Sequence, residues 1–260
     1  MSFFKKLFNM TDSKNTNTAH SEPIYINEKL LIDHHLSDSE LACFRTFKQV
    51  HKNYLVHPIT QEDYQALEYM KEFLPDICFL WSDEYGNYAG FFYRGALRGK
   101  IMILTHSETL YAPLYSSMKS FIAAVMDSSF EELMIPRLFP TDLSESYMAD
   151  YPAKTPTVKE QQENYTAAKQ LLSTLDSMSD EESYAQTVFQ IFYIMPHEHL
   201  DELLVFFDSD NLYILQDIPY LFAFHHYQPA VAYLKEAVQK NTPHISSHAK
   251  RALTYYTITD

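Results

Sequence analysis

The fold is decided by residues 81–108, which read WSDEYGNYAGFFYRGALRGKIMILTHSE. All 4 glycines of the chain fall inside this stretch. Glycine tolerates positive φ and close backbone approach, so the chain is expected to reverse most tightly here. Short runs of aromatic and β-branched residues lie before, between and after the turns. The pattern therefore predicts an antiparallel meander of three strands, at 76–81, 88–93 and 100–105.

Both faces of this predicted sheet are apolar. In the second strand Tyr88 and Phe92 alternate with Phe91, and in the third Ile103 alternates with Met102. A solvated antiparallel sheet normally alternates apolar with polar residues. This sheet must therefore be covered on both sides, by helices, by a second domain or by a partner.

Helix signals surround the sheet. Capping-box spacing, in which a Ser or Thr is followed three residues later by Asp or Glu, occurs at Ser37/Glu40, Thr60/Asp63, Thr157/Glu160 and Ser179/Glu182. The helix that begins at Thr60 is expected to run until Pro75 ends it. After the sheet, a helical stripe that should pack on it consists of Leu114, Met118, Phe121, Ile122 and Val125.

Prolines divide the chain into two differently patterned parts. A proline-rich stretch with Ser, Thr and Asp contains Pro136, Pro140, Pro152 and Pro156 and is typical of a linker or an extended arm. Beyond it the pattern is helical throughout and ends in two antiparallel helices at 229–240 and 243–256. We predict an α+β fold, a meander sheet covered by helices, followed by an all-α helical-hairpin domain. The predicted boundaries are a flexible tail at 1–22, the α+β domain at 23–135, the linker at 136–157 and the helical domain at 158–260.

Composition limits the classes of partner. The formal charge of −14 argues against nucleic acid, because phosphate binding needs a basic stripe and the 20 Lys and Arg residues are not concentrated into one. A basic protein is a more natural partner. Cys43 and Cys78 show no CxxC spacing, so no disulfide framework or zinc site is implied and a cytoplasmic location fits. No apolar run approaches the roughly 20 residues of a membrane span.

Motifs for catalysis or for a cofactor are not visible. GNYAG and GALRG match neither a dinucleotide fingerprint nor a phosphate loop, since Gly99 and Lys100 are followed by Ile101 and a strand. His244 and His248 are one helical turn apart, but no third ligand has suitable spacing, which favours solvated surface over metal. We therefore predict a protein that is not an enzyme and that holds no metal and no cofactor.

The region around the sheet resembles the SUKH superfamily, the Smi/Knr-type domains common among bacterial immunity proteins. The matching positions are Gly86, Asn87 and Tyr88 at the first turn, Gly99 and Lys100 before the next strand, His106 and Glu108 after it, and 117–121 in the following helix. The resemblance covers 23–126. It implies an immunity protein that binds and neutralises a cognate polymorphic toxin by stoichiometric occlusion, and the toxin connection comes from this resemblance alone.

The helices at the end of the chain carry a second resemblance. Residues 229–253, PAVAYLKEAVQKNTPHISSHAKRAL, look like a HEAT-type repeat. An ordinary small bundle would show the same pattern, because any antiparallel pair of helices has this look. An alternative function follows from these helices, a regulatory adaptor or scaffold that holds a protein or peptide partner. A third and weaker alternative is a hydrolase with a histidine and carboxylate site between the domains.

The first turn of the meander is the predicted partner-binding site. It brings the only tryptophan, Trp81, together with Asp83, Glu84 and Tyr85 on a rigid turn, a composition suited to an aromatic anchor with a charged rim. An ordinary acidic hairpin tip is the alternative. The predicted set is completed by Tyr88, His106 and Glu108. The expected partner is a basic toxin domain.

Limited proteolysis tests the predicted division of the chain. We expect the first cuts in 136–156 and in 10–21, because exposed polar segments between packed elements are the preferred sites of nicking. Mass spectrometry of early fragments locates the cuts. Protection of 136–156, with early cuts inside the meander, would show that the boundary is misplaced.

Overall fold

The computed structural model describes residues 26–33, 36–50, 56–83, 85–106, 110–127 and 156–256. The tail predicted at 1–22 and nearly all of the linker predicted at 136–157 lie outside these residues. The predicted domain boundaries therefore stay predictions. Among the described residues, none of the helices combines the length and the apolar character needed to span a membrane.

A four-stranded antiparallel sheet lies at the centre of the first half of the chain. Its strands, in spatial as in chain order, are β1 (His57–Pro58), β2 (Ile77–Ser82), β3 (Tyr88–Phe92) and β4 (Ile101–Leu104). The predicted meander is confirmed, and with the helices described below so is the α+β class. β1 was not predicted because its two residues are too few to show a strand pattern.

Helices precede and follow the strands. They are α1 (Ile26–Asp33), α2 (Asp38–Val50), α3 (Gln61–Ala66), a 3-10 helix (Glu68–Glu72) and α4 (Met118–Asp127). Capping contacts form as predicted: Glu40 Oε2 accepts a hydrogen bond from the backbone N–H of Ser37, and Thr60 and Asp63 cap each other reciprocally. The predicted single helix up to Pro75 is wrong, since α3 ends at Ala66.

The early end of α3 has a reason that the sequence already contained. Its apolar residues recur every three positions, and three residues per turn is the period of a 3-10 helix rather than of an α-helix. Met70 of the 3-10 segment is buried, and so are Leu67, three residues before it, and Leu74, four residues after it.

The sheet is buried on both faces, as its apolar alternation predicts. Every residue of β2 and β4 is buried. On one face the ring of Trp81 packs 5.8 Å from that of Phe44 in α2 and 4.9 Å from that of Phe121 in α4, between ring centroids. Side chains of α3 and of the 3-10 segment line a cavity together with Ile77 and Phe79 of β2.

The second half of the chain is helical. Its elements are α5 (Val158–Leu172), a 3-10 turn (Leu175–Ser177), α6 (Glu181–Ile194), a 3-10 helix (His197–Asp208), α7 (Leu212–Phe224), α8 (Ala230–Gln239) and α9 (Ser246–Tyr256). Thr157 and Glu160 form the predicted capping box. The cap predicted at Ser179 is one residue early. Asp180 caps α6 by accepting a hydrogen bond from Ser183, which lowers the pKa of the Asp180 carboxyl.

The two halves share one buried core. A continuous cluster of buried apolar residues extends from Leu31 in α1 to Ala230 in α8. Two glutamines of α6, one turn apart, bind the backbone of Tyr111: Gln186 Oε1 accepts from Tyr111 N–H at 3.0 Å, and Gln190 Nε2 donates to Tyr111 C=O at 2.9 Å. These side chains satisfy a buried backbone unit as a neighbouring strand would.

His225 ends α7 beside this core. Its Nε2 lies 3.1 Å from the carbonyl oxygen of Phe192 and therefore carries the proton, because a carbonyl only accepts. Burial lowers the pKa of His225 to about 4, and the neighbouring His197 and His226 lower the pKa further while the Phe192 carbonyl opposes them. Between about pH 4 and pH 6.5 the folded protein thus holds this histidine neutral, whereas an exposed histidine would be charged.

Acid should therefore destabilise the protein through His225. The unfolded chain takes up a proton near pH 6.5 and the folded chain only near pH 4, so the free energy of unfolding falls as the pH decreases across this window, by at most about 3 kcal/mol. Urea unfolding between pH 7 and pH 4 measures it. In His225→Gln, whose amide can still donate to Phe192, this part of the pH dependence should disappear.

The comparison with wild type isolates the histidine. Asp217, whose pKa is raised by burial to about 6, titrates in the same range but is present in both proteins, so its contribution cancels. His244→Asn is the control, since His244 is exposed and asparagine tolerates its φ of +64°. Equal pH dependence of the wild type and His225→Gln would contradict the assignment.

Candidate functional site

Asp83 builds the turn between β2 and β3 from within. Its carboxylate oxygen Oδ1 accepts hydrogen bonds from the backbone N–H of Tyr85 and of Asn87, both at 2.9 Å. Its own N–H donates to the carbonyl of Asn87 at 3.1 Å. Only 5% of Asp83 is exposed. The expectation that Asp83 is a charge on an exposed rim is therefore corrected, because its carboxylate is turned inward to satisfy backbone donors.

Asn87 ties this turn to the end of β4. It is fully buried, and its Nδ2 donates to Asp83 Oδ2 at 2.8 Å. Its Oδ1 accepts from the backbone N–H of His106 at 3.1 Å and lies 3.0 Å from His106 Nδ1, which therefore carries the proton. Asn87 was absent from the predicted site, although the spacing of Asp83 and Asn87 around Gly86 was a signal that could have identified it.

Tyr85 is the part of this turn that faces solvent. It is 53% exposed, while its N–H is held by Asp83. Gly86 follows with a φ of +80°, a conformation that glycine adopts without strain. The result is an exposed aromatic ring whose own backbone N–H is bound to Asp83. Glu84 and Glu108, also predicted as site residues, lie outside the described residues.

Trp81 lies in the core and not on the turn surface. The structure leaves 0% of it exposed, and its ring contacts Phe44 and Phe121. The prediction of Trp81 as a partner-binding anchor is corrected for this reason. A β-bulge between Phe79 and Trp81 shifts the register of β2. An aromatic ring as large as that of Trp81 gains most free energy when it is buried, here under two helices.

A polar cluster of His57, Asp63, Ser82 and Tyr88 lies at the end of β2 that leads into the turn. Ser82 Oγ donates to Asp63 Oδ2 at 3.1 Å and lies 3.4 Å from His57 Nδ1, while Tyr88 OH lies 3.5 Å from Asp63 Oδ1. Burial raises the pKa of Tyr88, and the negative charge of Asp63 raises it further. Tyr88, which was predicted as a partner contact, is thus half-buried, and its hydroxyl lies within this cluster. His106, also predicted as a partner contact, is held by Asn87.

This cluster contains the residue types of a hydrolytic triad in an order that does not support catalysis. A nucleophilic serine must give its proton to a histidine that the carboxylate orients. Here Ser82 donates directly to Asp63. His57 Nδ1, the atom nearest Ser82, lies 3.0 Å from the carbonyl of Pro58 and so carries a proton itself. Ser82 is also 1% exposed, which leaves no approach for a substrate.

The part of the chain that the structure describes contains no group of three or more His, Cys, Asp or Glu side chains placed to hold a metal ion. Comparisons with known protein families, with curated proteins and with solved structures found no match. The resemblances to SUKH domains and to HEAT repeats therefore stay predictions. What the geometry itself defines is an α+β protein in which Asp83 and Asn87 form hydrogen bonds within the turn at one end of the sheet while Tyr85 is exposed.

Loss of the Asn87 amide should loosen this turn. We expect Asn87→Ala to lower the free energy of unfolding by about 2 kcal/mol, because the His106 N–H and Asp83 Oδ2 each lose a partner in a buried place. Urea unfolding measures the loss. The control is Gln170→Ala on the exposed surface of α5, which should stay within about 0.5 kcal/mol of wild type. An Asn87→Ala protein as stable as wild type would mean that the amide is not the tie.

Proposed function

We propose that this protein is an immunity protein that binds a cognate polymorphic toxin and neutralises it by stoichiometric occlusion. The observation that carries the proposal is the turn in which Asp83 and Asn87 fix the backbone while Tyr85 stays exposed. An aromatic side chain on a fixed backbone loses little conformational entropy on binding, which suits it as an anchor. The resemblance to SUKH domains at Gly86, Asn87 and Tyr88 supports the same function.

Charge supports a basic partner. The chain carries a formal charge of −14, and an acidic protein attracts a basic toxin domain and speeds their association. Asp83 is committed to the turn, so the proposed charged rim consists of Glu84 and Glu108, which stay predictions from the sequence. A toxin that acts on nucleic acid has the basic surface that such a rim would cover.

Binding without catalysis is supported by the cluster around Ser82. Serine, histidine and aspartate lie together there, and their hydrogen bonds run in the wrong direction for acyl transfer. A buried serine that donates to a carboxylate acts as a structural group. The proposal therefore needs one binding surface and no turnover.

The test is a binding measurement with a candidate toxin. The candidate is the variable C-terminal domain of a large secreted protein whose gene lies beside the gene of this chain. We expect Tyr85→Ala to weaken the complex about thirtyfold, chiefly by faster dissociation, because truncation of a central aromatic anchor costs about 2 kcal/mol or more. Surface plasmon resonance gives both rates, and survival of cells that produce the toxin reports neutralisation.

A matched control is available on the helical half. Tyr213, at the start of α7, is 52% exposed against 53% for Tyr85, so Tyr213→Ala removes the same ring from an equally exposed place. It should bind the toxin like wild type. Thermal melts of both variants establish that each is folded. Unchanged binding by folded Tyr85→Ala would remove the turn from the interface.

The alternative, an adaptor, has its own observation. Large apolar side chains are exposed on the C-terminal helices, namely Val205, Leu212, Tyr213 and Tyr233. Such side chains fit a protein partner held on the helical half. Loss of partner binding in Tyr213→Ala but not in Tyr85→Ala, or the absence of a neighbouring toxin gene, would favour the adaptor.

A further inference from the structure

An apolar cavity of about 370 Å³ opens between β2 and the helices that follow β1. Ile77 and Phe79 of β2 form one wall. Leu67, Met70 and Leu74, in and around the 3-10 helix Glu68–Glu72, form the opposite wall. All five are buried residues of the core, so the walls belong to packed structure rather than to a surface loop.

The size of the cavity sets the size of its ligand. An apolar cavity of about 150 Å³ in a protein core holds one benzene molecule. At about 370 Å³ this cavity holds more than twice as much, an apolar body of roughly ten carbon atoms, and it lies within the volume range of small-molecule sites. Interiors are otherwise close-packed, and the space between these walls is large for a packing defect.

Two cationic side chains also line the cavity, Lys71 and Arg94. Lys71 Nζ donates to Tyr64 OH at 3.0 Å and lies 4.7 Å from the centre of that ring. This hydrogen bond is the main reason that the pKa of Lys71 is raised, so the ammonium stays charged. In a chain with a formal charge of −14, two cations beside one apolar cavity provide charge complementarity for an anionic ligand.

The present partners of the two cations do not compete strongly with such a ligand. Lys71 Nζ lies 3.6 Å from a carboxylate oxygen of Glu68, and Arg94 Nε donates to Asp76. The side chains of both cations are about half exposed, at 50% and 56%, and ion pairs this exposed contribute little. An incoming carboxylate can join or replace them at small cost.

We propose that this cavity is a binding site for a small amphipathic carboxylate. Its apolar body lies between the sheet wall and the 3-10 wall, and its carboxylate lies at the mouth beside Lys71 and Arg94. The site is independent of the proposed toxin interface. Ile77 and Ser82 are at opposite ends of β2, which places the Tyr85 turn roughly 16 Å along the strand from the Ile77 wall.

Decanoate is the probe, because it combines ten carbons with one carboxylate. We expect one equivalent to bind in isothermal titration calorimetry, with saturable NMR shifts of the Ile59 and Ile77 methyl groups, both of which line the cavity. Decan-1-ol should bind about five- to twentyfold more weakly, since it keeps the chain but loses both charge contacts. Decyltrimethylammonium should bind more weakly still. No saturable methyl shift with decanoate, or equal affinity for decanoate and decan-1-ol, would overturn the proposal.

Charge variants test the mouth of the cavity. Lys71→Gln and Arg94→Gln should each weaken decanoate binding about two- to fivefold and leave decan-1-ol unaffected. The controls are Lys169→Gln and Arg45→Gln, which remove cations of similar exposure, 51% each, that pair with carboxylates elsewhere. Decanoate binding that falls equally in the control variants would reflect net charge and would contradict a site at this mouth.

A wall variant tests the apolar part. Leu67→Phe adds volume inside the cavity and should abolish binding of both decanoate and decan-1-ol, with a thermal melt to establish that the variant is folded. Wild-type binding by folded Leu67→Phe would place the ligand elsewhere. Binding to the toxin should be unchanged in this variant and in the two charge variants, so this proposal and the proposed function can fail separately.

Discussion

The packing of Trp81 between Phe44 and Phe121 is the contact on which the sheet and its helices depend. It joins the central strand β2 to α2, which precedes the strand in the chain, and to α4, which follows the sheet. A buried aromatic side chain of this size typically contributes about 3–5 kcal/mol, a large part of the net stability of a domain. Because Trp81 is the penultimate residue of β2, its packing against two helices holds the end of the strand that leads into the turn.

The two ends of β2 carry the two features that point to function. One end leads into the turn in which Asp83 and Asn87 bind the backbone and Tyr85 remains exposed. The other end forms a wall of the apolar cavity. The exposed turn and the cavity therefore share one strand of the sheet as their support.

The helical half extends the core of the sheet. Gln186 and Gln190 bind both backbone groups of Tyr111, and Lys100 Nζ donates to Asn164 of α5 at 2.8 Å. Polar side chains that satisfy buried backbone groups specify one arrangement of the packed elements, because any shift would leave those groups unsatisfied. α7, α8 and α9 also form a smaller apolar cluster of their own around Leu234 and Ala249.

The sequence by itself determined the meander, its apolar faces and the helix starts at Ser37, Thr60 and Thr157. These features rest on local chemistry, namely glycine at reversals, alternation along strands and side-chain caps. Tertiary structure decided which turn residues are exposed. Trp81 and Asp83 match a binding surface in composition, yet two helices cover the first and backbone donors surround the second. The hydrogen bonds from Gln186 and Gln190 to Tyr111 and the cavity lined by Lys71 bring together residues that are distant in the chain. No local sequence pattern encodes such contacts.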